Sequence, residues 1–425
     1  MKFLKIFTGR LILIRLIMLA AMFLLIVIGI ISIYASGNPA GGGATRFSGA
    51  WQKQLIYTAA GLLALIVINL VDYRWLGPVS YWIYAAILVV LAVLLIDKVI
   101  NLPFVARIPP SYARRWIRLL PRAAGFDLKI QPSEFCKIAY ILALAWYLRF
   151  RRNYRHFTGL IGPFALTLLA MVLILFEPDL GTVLLMMPIL FVMLFVAGAR
   201  VKHLIIILLL AMAVSPLLWH RIEPYQRKRI SCVLLQNDAI RAELIKNPAL
   251  SHILTGESQF NERSWQITSG WQLKHSKLAI ASGGLTGYGF AKGPYIKYPS
   301  LPERHNDFIF AIIAHQWGFL GCLLVLLLYA VIVACGIEIA YLNTDPFARL
   351  VSVGIVTMFV VEIFVNISMT VGLMPITGLT LPLLSYGGSS LMVNIIAIGL
   401  LNNIGRRRPF TVAGRPFETR LGSSR

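Results

Sequence analysis

The sequence predicts an all-α polytopic membrane protein with about ten transmembrane helices, both termini in the cytoplasm, and a large external loop between helices 7 and 8. Composition is the first reason. Of 425 residues, 58% are hydrophobic and 13% are charged, about half of the roughly 25% charged fraction of soluble domains. The second reason is a series of apolar runs about 20 residues long, enough to cross a bilayer as a helix. The third is a basic excess in alternate loops, which indicates the orientation.

Ten charge-poor runs approach the length of one membrane crossing. They cover approximately residues 14–35, 54–71, 76–96, 134–149, 158–176, 180–199, 203–219, 308–334, 350–374 and 387–404. The fourth run is short and begins with Glu134 and Lys137. Residues 363–405 contain no Asp, Glu, Lys or Arg, but Pro375 and Pro382 interrupt them. We therefore expect two helices joined by an irregular turn, which is tolerated at membrane depth only when it is buried in protein.

Lysine and arginine are concentrated in alternate connections between these runs, and this bias marks the cytoplasmic side. The basic connections are the N-terminus, residues 149–155, residues 200–202 and the tail 405–425. Two polar segments, at about residues 97–133 and 220–306, then lie outside the cytoplasm. Because no internal repeat or second soluble domain is visible, residues 1–425 are predicted to form a single membrane domain.

Several classes of function are disfavoured. A net charge of +23 would suggest nucleic acid in a soluble protein, but here cations flank membrane spans and no nucleic-acid partner is predicted. The four cysteines show neither CxxC nor Cys/His ligand spacing, so neither a disulfide framework nor a structural metal site is expected. The sequence contains no Walker A motif, which disfavours an ATP-driven pump.

Asp307 directly precedes an apolar helix at the end of the second external segment. Two roles are open for a carboxylate in this position. Either Asn306 or Asp307 could cap the helix by accepting backbone N–H bonds and complementing the helix dipole. Alternatively, Asp307 is a general base at the mouth of a cavity, where partial desolvation raises its pKa.

The first external segment combines basic residues with a tryptophan. Arg114 and Arg115 precede Trp116, and Lys129 lies closer to the next helix. Arginine suits phosphate recognition, and tryptophan either stacks on a ligand or lies at the lipid interface. Interfacial anchoring is the alternative for any single arginine. A cluster of positive charge on the outer side opposes the usual bias and favours an anionic ligand.

Three ionisable residues fall inside predicted spans. Glu134 and Lys137 are three residues apart on a helix and could form a structural ion pair. Glu362 has no basic neighbour in the sequence, and an intramembrane carboxylate is a functional candidate by default.

Six stretches follow one another along about 280 residues. They are ARRWI at 113–117, QPSEFCK at 131–137, EPDLGT at 177–182, HSKLAIASGGLTGYGF at 275–290, LPERHNDFIFA at 301–311 and GLMPITGLTLPLLSYGGSS at 372–390. Together they resemble the SEDS family (shape, elongation, division and sporulation), which includes RodA, FtsW and SpoVE. Residues 232–264 match none of these stretches. The fifth stretch is more similar to RodA members and the sixth to FtsW members, so the subfamily stays open.

The resemblance implies a peptidoglycan glycosyltransferase that polymerises lipid II at the outer face of the bacterial cytoplasmic (inner) membrane and releases polyprenyl diphosphate. It implies lipid II, lipid-linked glycan and a class B penicillin-binding protein (a transpeptidase) as partners, within membrane lipids. Asp307 matches the family's catalytic aspartate. Substrate binding is expected at Trp116, Arg114, Arg115, Lys129, Glu134, Lys137, Ser385, Tyr386, Gly387 and Gly388. The sequence identifies no definite cofactor, and a divalent cation such as Mg²⁺ would suit the diphosphate.

Two other functions stay open at this point. A flippase for lipid-linked precursors would share the basic external cavity and would explain Glu362, since transporters place ionisable groups at mid-membrane. A noncatalytic scaffold of the division or elongation machinery would need the loop arginines only for binding. The position of Asp307 at the external membrane surface favours the enzyme.

Overall fold

The computed structural model describes residues 11–38, 49–100, 105–108, 113–118, 128–150, 157–177, 179–219, 224–298 and 300–407. Its helices are α1 (Ile12–Gly37), α2 (Ala50–Leu70), α3 (Tyr73–Ile100), α4 (Pro132–Leu148), α5 (Ile161–Phe176), α6 (Leu180–Val196), α7 (Val201–Trp219), α8 (Pro224–Ser231), α9 (Asp238–Lys246), α10 (Pro248–Thr255), α11 (Glu262–Ile267), α12 (Ser269–Ser282), α13 (Pro294–Lys297), α14 (Ile309–Tyr341), α15 (Pro346–Val371) and α16 (Gly388–Arg406). Each of the ten predicted spans falls on one of the helices α1–α7 and α14–α16. The largest difference is α14, which continues to Tyr341 instead of residue 334 because no helix-breaking residue follows.

Within the described residues, seven helical segments are both long and apolar enough to cross a membrane. Helix α6 and the apolar part of α7 (Val201–Pro216) are shorter, and α4 has 17 residues that include Glu134 and Lys137. The all-α polytopic class is confirmed. Ten crossings, and the cytoplasmic position of both termini, stay predictions.

The first external segment contains a small sheet that the sequence did not indicate. Strands β1 (Val105–Ile108), β2 (Ala113–Arg118) and β3 (Lys129–Ile130) pair antiparallel in the order β1-β2-β3. Strand β2 lies against α3 and α4, and β3 lies against α16. The sheet therefore marks one end of the helical bundle, which we call the loop end. Residues 408–425 of the predicted cytoplasmic tail lie outside the described residues.

Helices α2 and α16 pack closely because small residues and amides line their contact. A Cβ at Gly61 would lie 2.8 Å from Ile395 Cδ1, and one at Gly399 would lie 3.2 Å from the side chain of Leu65. Nearer the C-terminal end of α2, Asn402 Nδ2 donates to Asn69 Oδ1 at 2.7 Å. Close backbone approach and interhelical hydrogen bonds are typical of association in lipid, where apolar burial supplies little driving force.

The chain between α15 and α16, residues 372–387, is irregular and largely buried, as predicted. Side chains from neighbouring helices satisfy its backbone. Gln54 Nε2 donates to the Ser385 carbonyl oxygen at 3.0 Å, and Asn366 Nδ2 donates to the Leu379 carbonyl oxygen at 2.7 Å. Such partners are needed because water does not supply them at membrane depth.

Helix α14 is broken at Gly318, where φ is 61° and ψ is −157°, a conformation that glycine adopts without steric cost. The glycine-rich chain after α12 fits into this break. Phe319 N donates to the Gly284 carbonyl oxygen at 2.9 Å, and a Cβ at Gly287 would lie 2.2 Å from the Gln316 carbonyl oxygen. The second external segment is thereby fastened to the start of α14.

Candidate functional site

Asp307 lies at the loop end, two residues before α14 begins. Phe308 occupies the N-cap position, and no side chain caps the helix. The capping alternative is therefore wrong for Asp307, and also for Asn306, whose side-chain nitrogen donates to Glu303 Oε2 at 2.7 Å. Within the described part of the chain, no hydrogen bond reaches the Asp307 carboxylate, which leaves the group free to accept a proton.

The backbone around Asp307 is held by α15 and by the irregular chain before α16. Asn366 Nδ2 donates to the Asp307 carbonyl oxygen at 3.0 Å. The Ser385 hydroxyl donates to the Asn306 carbonyl oxygen at 2.7 Å. The backbone N–H of Tyr386 donates to the His305 carbonyl oxygen at 2.8 Å. Three successive carbonyl groups are thus fixed, so the position of the carboxylate is set by the fold and not by its own hydrogen bonds.

Burial of the Asp307 carboxyl raises its pKa to about 7, and the nearby carboxylate of Glu303 adds to this rise. The charges of Arg229 and Arg115 oppose it, because they favour the ionised form. The side chain is half-buried, so a ligand can reach it. A pKa near the working pH is what proton abstraction requires, because the group must be ionised yet basic.

His305, two residues before Asp307, does not serve as a second base. Burial and the adjacent charge of Arg304 lower its pKa to about 4, so the imidazole is neutral and weakly basic near pH 7. Arg304 is itself buried and donates to the carbonyl oxygens of Tyr295, at 2.8 Å, and Ser36. Both residues hold the loop in place.

The first external segment contributes positive charge to this site. Arg115 and Trp116 are half-buried on β2, and the charge of Arg115 acts on Asp307. Arg115 Nε is buried, and no hydrogen-bond partner for it lies among the described residues. A buried donor of this kind is suited to an oxygen of a bound ligand. The side chain of Arg114 lies outside the described part, so its predicted role stays a prediction.

Lys129 and the glycines after Tyr386 meet at Tyr57. The Tyr57 hydroxyl accepts from Lys129 N at 2.8 Å and donates to the Lys129 carbonyl oxygen at 2.9 Å. A Cβ at Gly388 would lie 2.3 Å from the Tyr57 ring, which explains the glycine there. Gly387 N approaches Gln54 Oε1 at 3.4 Å.

Ser385 is buried, and its hydroxyl both donates to the Asn306 carbonyl oxygen and accepts from Leu381 N at 2.8 Å. This hydroxyl is therefore occupied in holding the Asp307 loop. Substrate binding at residues 385–388 stays a prediction beside this positioning role.

Asp179 organises the same end of the bundle. Its Oδ2 accepts from Gln131 Nε2, Ser133 Oγ and Thr182 Oγ1, each at 2.9 Å. The backbone N–H of Gln131 also donates to Ser389 Oγ at 2.8 Å. The starts of α4, α6 and α16 are thus joined directly beneath β3, which carries Lys129.

Lys137 is buried between two carboxylates, with Nζ 2.7 Å from Glu134 Oε2 and 2.6 Å from Glu362 Oε1. The pairing of Glu134 with Lys137 is confirmed, and Glu362 has the partner that the sequence did not reveal. We call these three residues the buried triad. Glu362 precedes Asn366 by four residues on α15, so the triad lies about 6 Å along the helix from the residue that holds Asp307. Because its charges face one another, substrate binding at Glu134 and Lys137 stays a prediction.

Among the described residues, no group of three or more His, Cys, Asp or Glu side chains could hold a metal ion. Asp307 and Glu303 are neighbouring carboxylates at the site. Mg²⁺ is commonly bound by one or two carboxylates together with substrate phosphates, so these two residues would fit it. Participation of a divalent cation stays a prediction.

The family model described as "Cell cycle protein", which covers FtsW, RodA and SpoVE, matches residues 13–409. The chain belongs to this family. Stage V sporulation protein E of Bacillus subtilis (strain 168) is 34% identical over 392 residues, covering 90% of this chain and 94% of that protein. Peptidoglycan glycosyltransferase RodA of Treponema pallidum (strain Nichols) is 31% identical over 438 residues, covering 92% of this chain and 97% of that protein.

Solved structures agree with this membership. A chain from work on the structural coordination of polymerization and crosslinking by a peptidoglycan synthase complex has a TM-score of 0.70 and 28% identity, covering 92% of this chain and 96% of that one. The crystal structure of Thermus thermophilus rod shape determining protein RodA has a TM-score of 0.59 and 25% identity, covering 92% and 95%. The predicted family and the multi-pass inner-membrane location are confirmed, while the subfamily stays open.

Several residues of the site were missed in the sequence. Arg229 lies in the second external segment, outside all six stretches, and nothing local connects it with Asp307. Asn366 had a usable signal, because it lies four residues after Glu362 and so on the same face of α15. Asp179 lies inside the stretch EPDLGT, where its place before an apolar helix suggests the N-cap that it forms with Thr182 N at 3.3 Å.

Proposed function

We propose that this protein is a peptidoglycan glycosyltransferase that polymerises lipid II into glycan strands at the outer face of the cytoplasmic membrane, for cell elongation or division. The observation that carries this proposal is the Asp307 carboxylate, which is held by its backbone, free of hydrogen bonds from the described residues and close to Arg115 and Arg229. Relatives named as peptidoglycan glycosyltransferases, aligned over most of this chain, support it.

In the reaction, Asp307 acts as the general base. Its carboxylate accepts the proton of the 4-hydroxyl group on the GlcNAc of an incoming lipid II, while that oxygen attacks the anomeric carbon of the lipid-linked growing glycan. A new glycosidic C–O bond forms. The bond between the anomeric carbon and the diphosphate oxygen breaks, and its electron pair leaves with the polyprenyl diphosphate. Asp307 then releases its proton to solvent.

Negative charge increases on the diphosphate as it leaves, and positive groups placed there in advance lower the barrier. Arg115 is suited to this task because its buried Nε has no hydrogen-bond partner among the described residues, and Arg229 adds charge on the same site. Arg114 and Lys129 are expected to assist, and Trp116 to stack on the substrate. If Mg²⁺ is bound with the diphosphate, Glu303 would hold it and it would supply further charge neutralisation, while the Asp307 carboxylate accepts the proton.

The alternative of a lipid-linked precursor flippase depended on Glu362 as an unpaired intramembrane carboxylate. Glu362 instead pairs with Lys137 inside the bundle, so this residue no longer favours transport. A class B penicillin-binding protein is the proposed partner. The solved structure of a peptidoglycan synthase complex, described as coordinating polymerization with crosslinking, supports a transpeptidase in that place.

The test is to incubate purified full-length protein with lipid II, with and without its class B transpeptidase, and to separate the products by gel electrophoresis. The proposal predicts lipid-linked glycan strands in at least one of the two reactions. A flippase would instead move labelled lipid II across proteoliposomes without forming strands, and a scaffold would do neither. Absence of strands in both reactions would contradict the proposal.

A further inference from the structure

The second external segment encloses a cavity that the proposed reaction does not use. Its volume is about 390 Å³, within the range of about 300–1,000 Å³ common for ligand pockets. It lies between α9, α11 and α12. Its lining includes two indole rings, three cationic side chains and two amide side chains. They are Trp265, Trp271, Arg241, Lys274, Lys277, Gln236 and Gln266.

The two indole rings are fixed before any ligand arrives. Trp271 donates from Nε1 to the Ser300 carbonyl oxygen at 2.6 Å, and its ring lies 3.9 Å from that of His275. The Arg241 guanidinium lies 4.5 Å from the centroid of the Trp265 ring. A Cβ at Gly270 would lie 2.8 Å from the Trp265 ring, so glycine permits the close contact. Rigid aromatic surfaces bind ligands with little loss of conformational entropy.

The positive charge available to a ligand comes from lysine and not from arginine. Arg241 donates to the Leu235 carbonyl oxygen at 2.7 Å and is paired with Asp238 and Glu262. Lys274 is exposed, and no hydrogen bond or ion pair engages it among the described residues. A free arginine fork binds phosphate or carboxylate with two hydrogen bonds, whereas Lys274 offers a single unpaired point charge to an anionic group.

The cavity is joined to the loop of Asp307. Leu273, in its wall, belongs to a small core cluster that also contains Phe308 and Ile376. Gln236 Nε2, also in the wall, donates to the Gly372 carbonyl oxygen at 2.8 Å. These contacts hold the cavity at the loop end of the bundle, on the same framework that positions the proposed general base.

We propose that this cavity binds a carboxylate-bearing saccharide, namely the sugar and peptide portion of the growing glycan. A sugar ring places its apolar face on Trp271, a carboxylate meets Lys274, and the Gln266 side-chain oxygen accepts from a hydroxyl or acetamido group. This inference rests on the proposed function, whose site it extends. A second binding site for the glycan, besides the site at Asp307, keeps the product attached between successive sugar additions. Longer strands therefore result.

The experiment uses purified full-length protein and two soluble probes without a lipid. One is a disaccharide–pentapeptide that carries carboxylates, and the other is uncharged chitotetraose. Parent protein is expected to bind the charged probe about tenfold more tightly than the uncharged one. Lys274→Glu should weaken binding of the charged probe about tenfold or more, since it replaces attraction by repulsion, and should shorten the strands made from lipid II. Lys246→Glu is the matched control on exposed α9, outside the cavity, and should change neither result.

Two further variants test whether misfolding of Lys274→Glu causes its loss of probe binding. Lys274→Gln removes the charge without introducing repulsion, and Lys274→Arg should restore charged-probe binding to near the parent value. The inference is overturned if the parent does not bind the charged probe, or if Lys274→Glu leaves both the binding and the strand length unchanged. It is also overturned if Lys274→Glu weakens only binding of the transpeptidase partner, because the surface is then a protein interface.

The two proposals fail in different ways. Asp307→Asn should abolish strand formation while retaining the charged-probe affinity of the parent. If the parent forms strands but its probe binding does not depend on Lys274, only the saccharide site is wrong. If probe binding depends on Lys274 but no strands form with or without the transpeptidase, the glycosyltransferase assignment is wrong.

Discussion

The buried triad and the Asp307 loop are two acidic regions that differ in burial and in hydrogen bonding. Both contact α15, at Glu362 and Asn366, positions about one helical turn apart. In the buried triad, Glu134 and Glu362 each pair with Lys137 through one carboxylate oxygen, at 2.7 and 2.6 Å. At the loop end, Asp307 is half-buried, its backbone is fixed, and its carboxylate is left without a hydrogen bond from the described residues.

The difference shows how location decides the role of a carboxylate in this fold. Inside the bundle, an unpaired charge is expensive, so acidic residues there persist with a buried cation beside them. At the loop end, partial burial costs less, and the charges of Arg115 and Arg229 limit the rise of the Asp307 pKa. The first arrangement stabilises helix packing, and the second produces a reactive group.

The largest expected effect is on catalysis at Asp307. Asp307→Asn removes the proton acceptor but keeps the shape of the side chain, so the polymerisation rate should fall by about 10²- to 10⁴-fold. The unfolding midpoint in detergent should stay close to that of the parent, because no described hydrogen bond to the carboxylate is lost. Glu243→Gln, which changes an exposed carboxylate on α9 outside the site, is the control and should remain active. A parent-like rate for Asp307→Asn would show that another group is the base.

For the buried triad we expect the reverse of the Asp307 result, namely a loss of stability. Lys137→Ala leaves two buried carboxylates without their cation and should lower the free energy of unfolding by about 3–5 kcal/mol. Replacing all three residues together, with Lys137→Met, Glu134→Leu and Glu362→Leu, should recover most of this loss. Denaturant unfolding of the detergent-solubilised protein measures both the loss of stability in Lys137→Ala and its recovery in the triple variant. Equal stability of Lys137→Ala and the parent would mean that the triad is not a structural element.

Asn366 connects the two regions, and its truncation should have an intermediate effect. Asn366→Ala releases the Asp307 carbonyl group, and a displacement of about 1 Å at a reacting group can cost about 10²-fold in rate. We expect a tenfold to hundredfold lower kcat with little change in KM for lipid II. Thr370→Ala, one turn further along α15, is the control, since its hydroxyl bonds only within the helix at Ile367. Equal effects of the two variants would remove the positioning role of Asn366.

The smallest expected effect concerns the charges around Asp307. Arg229→Ala and Arg115→Ala each remove a cation that lowers the pKa of this carboxyl. The rise of the polymerisation rate with pH should therefore move to higher pH, by roughly a few tenths of a unit for the exposed Arg229 and by more for the half-buried Arg115. Lys246→Ala should leave the profile in place. A shift to lower pH would mean that these arginines do not act on the base.

Much of the fold could be predicted because lipid imposes simple rules. Runs such as 14–35 and 387–404 approximate α1 and α16, since a helix in a bilayer must be about 20 apolar residues long. The buried turn at 372–387 followed from the same rule, because two crossings cannot share 43 uncharged residues without a break. The strands β1–β3 escaped prediction because polar segments outside the membrane follow no such constraint.

The site was only partly predictable. Asp307 and Arg115 could be identified from residue type and location. The pairing of Glu362 with Lys137 could not, since the two lie 225 positions apart and only the packing of α15 against α4 brings them together. The contributions of Arg229 and of the cavity around Trp265 depend on how the helices of the second external segment pack, which no local sequence pattern indicates.

The central claim is that a carboxyl group at position 307 must lose its proton, with a pKa near 7, for the protein to join sugars. The pH dependence of the lipid II polymerisation rate tests this most directly, measured on the full-length protein between about pH 5 and 9. Because the ionised form is the base, the rate should be low below the pKa, rise through about pH 7 and level off above it. A rate that is constant across this range, or that falls as the pH rises through 7, would contradict the account.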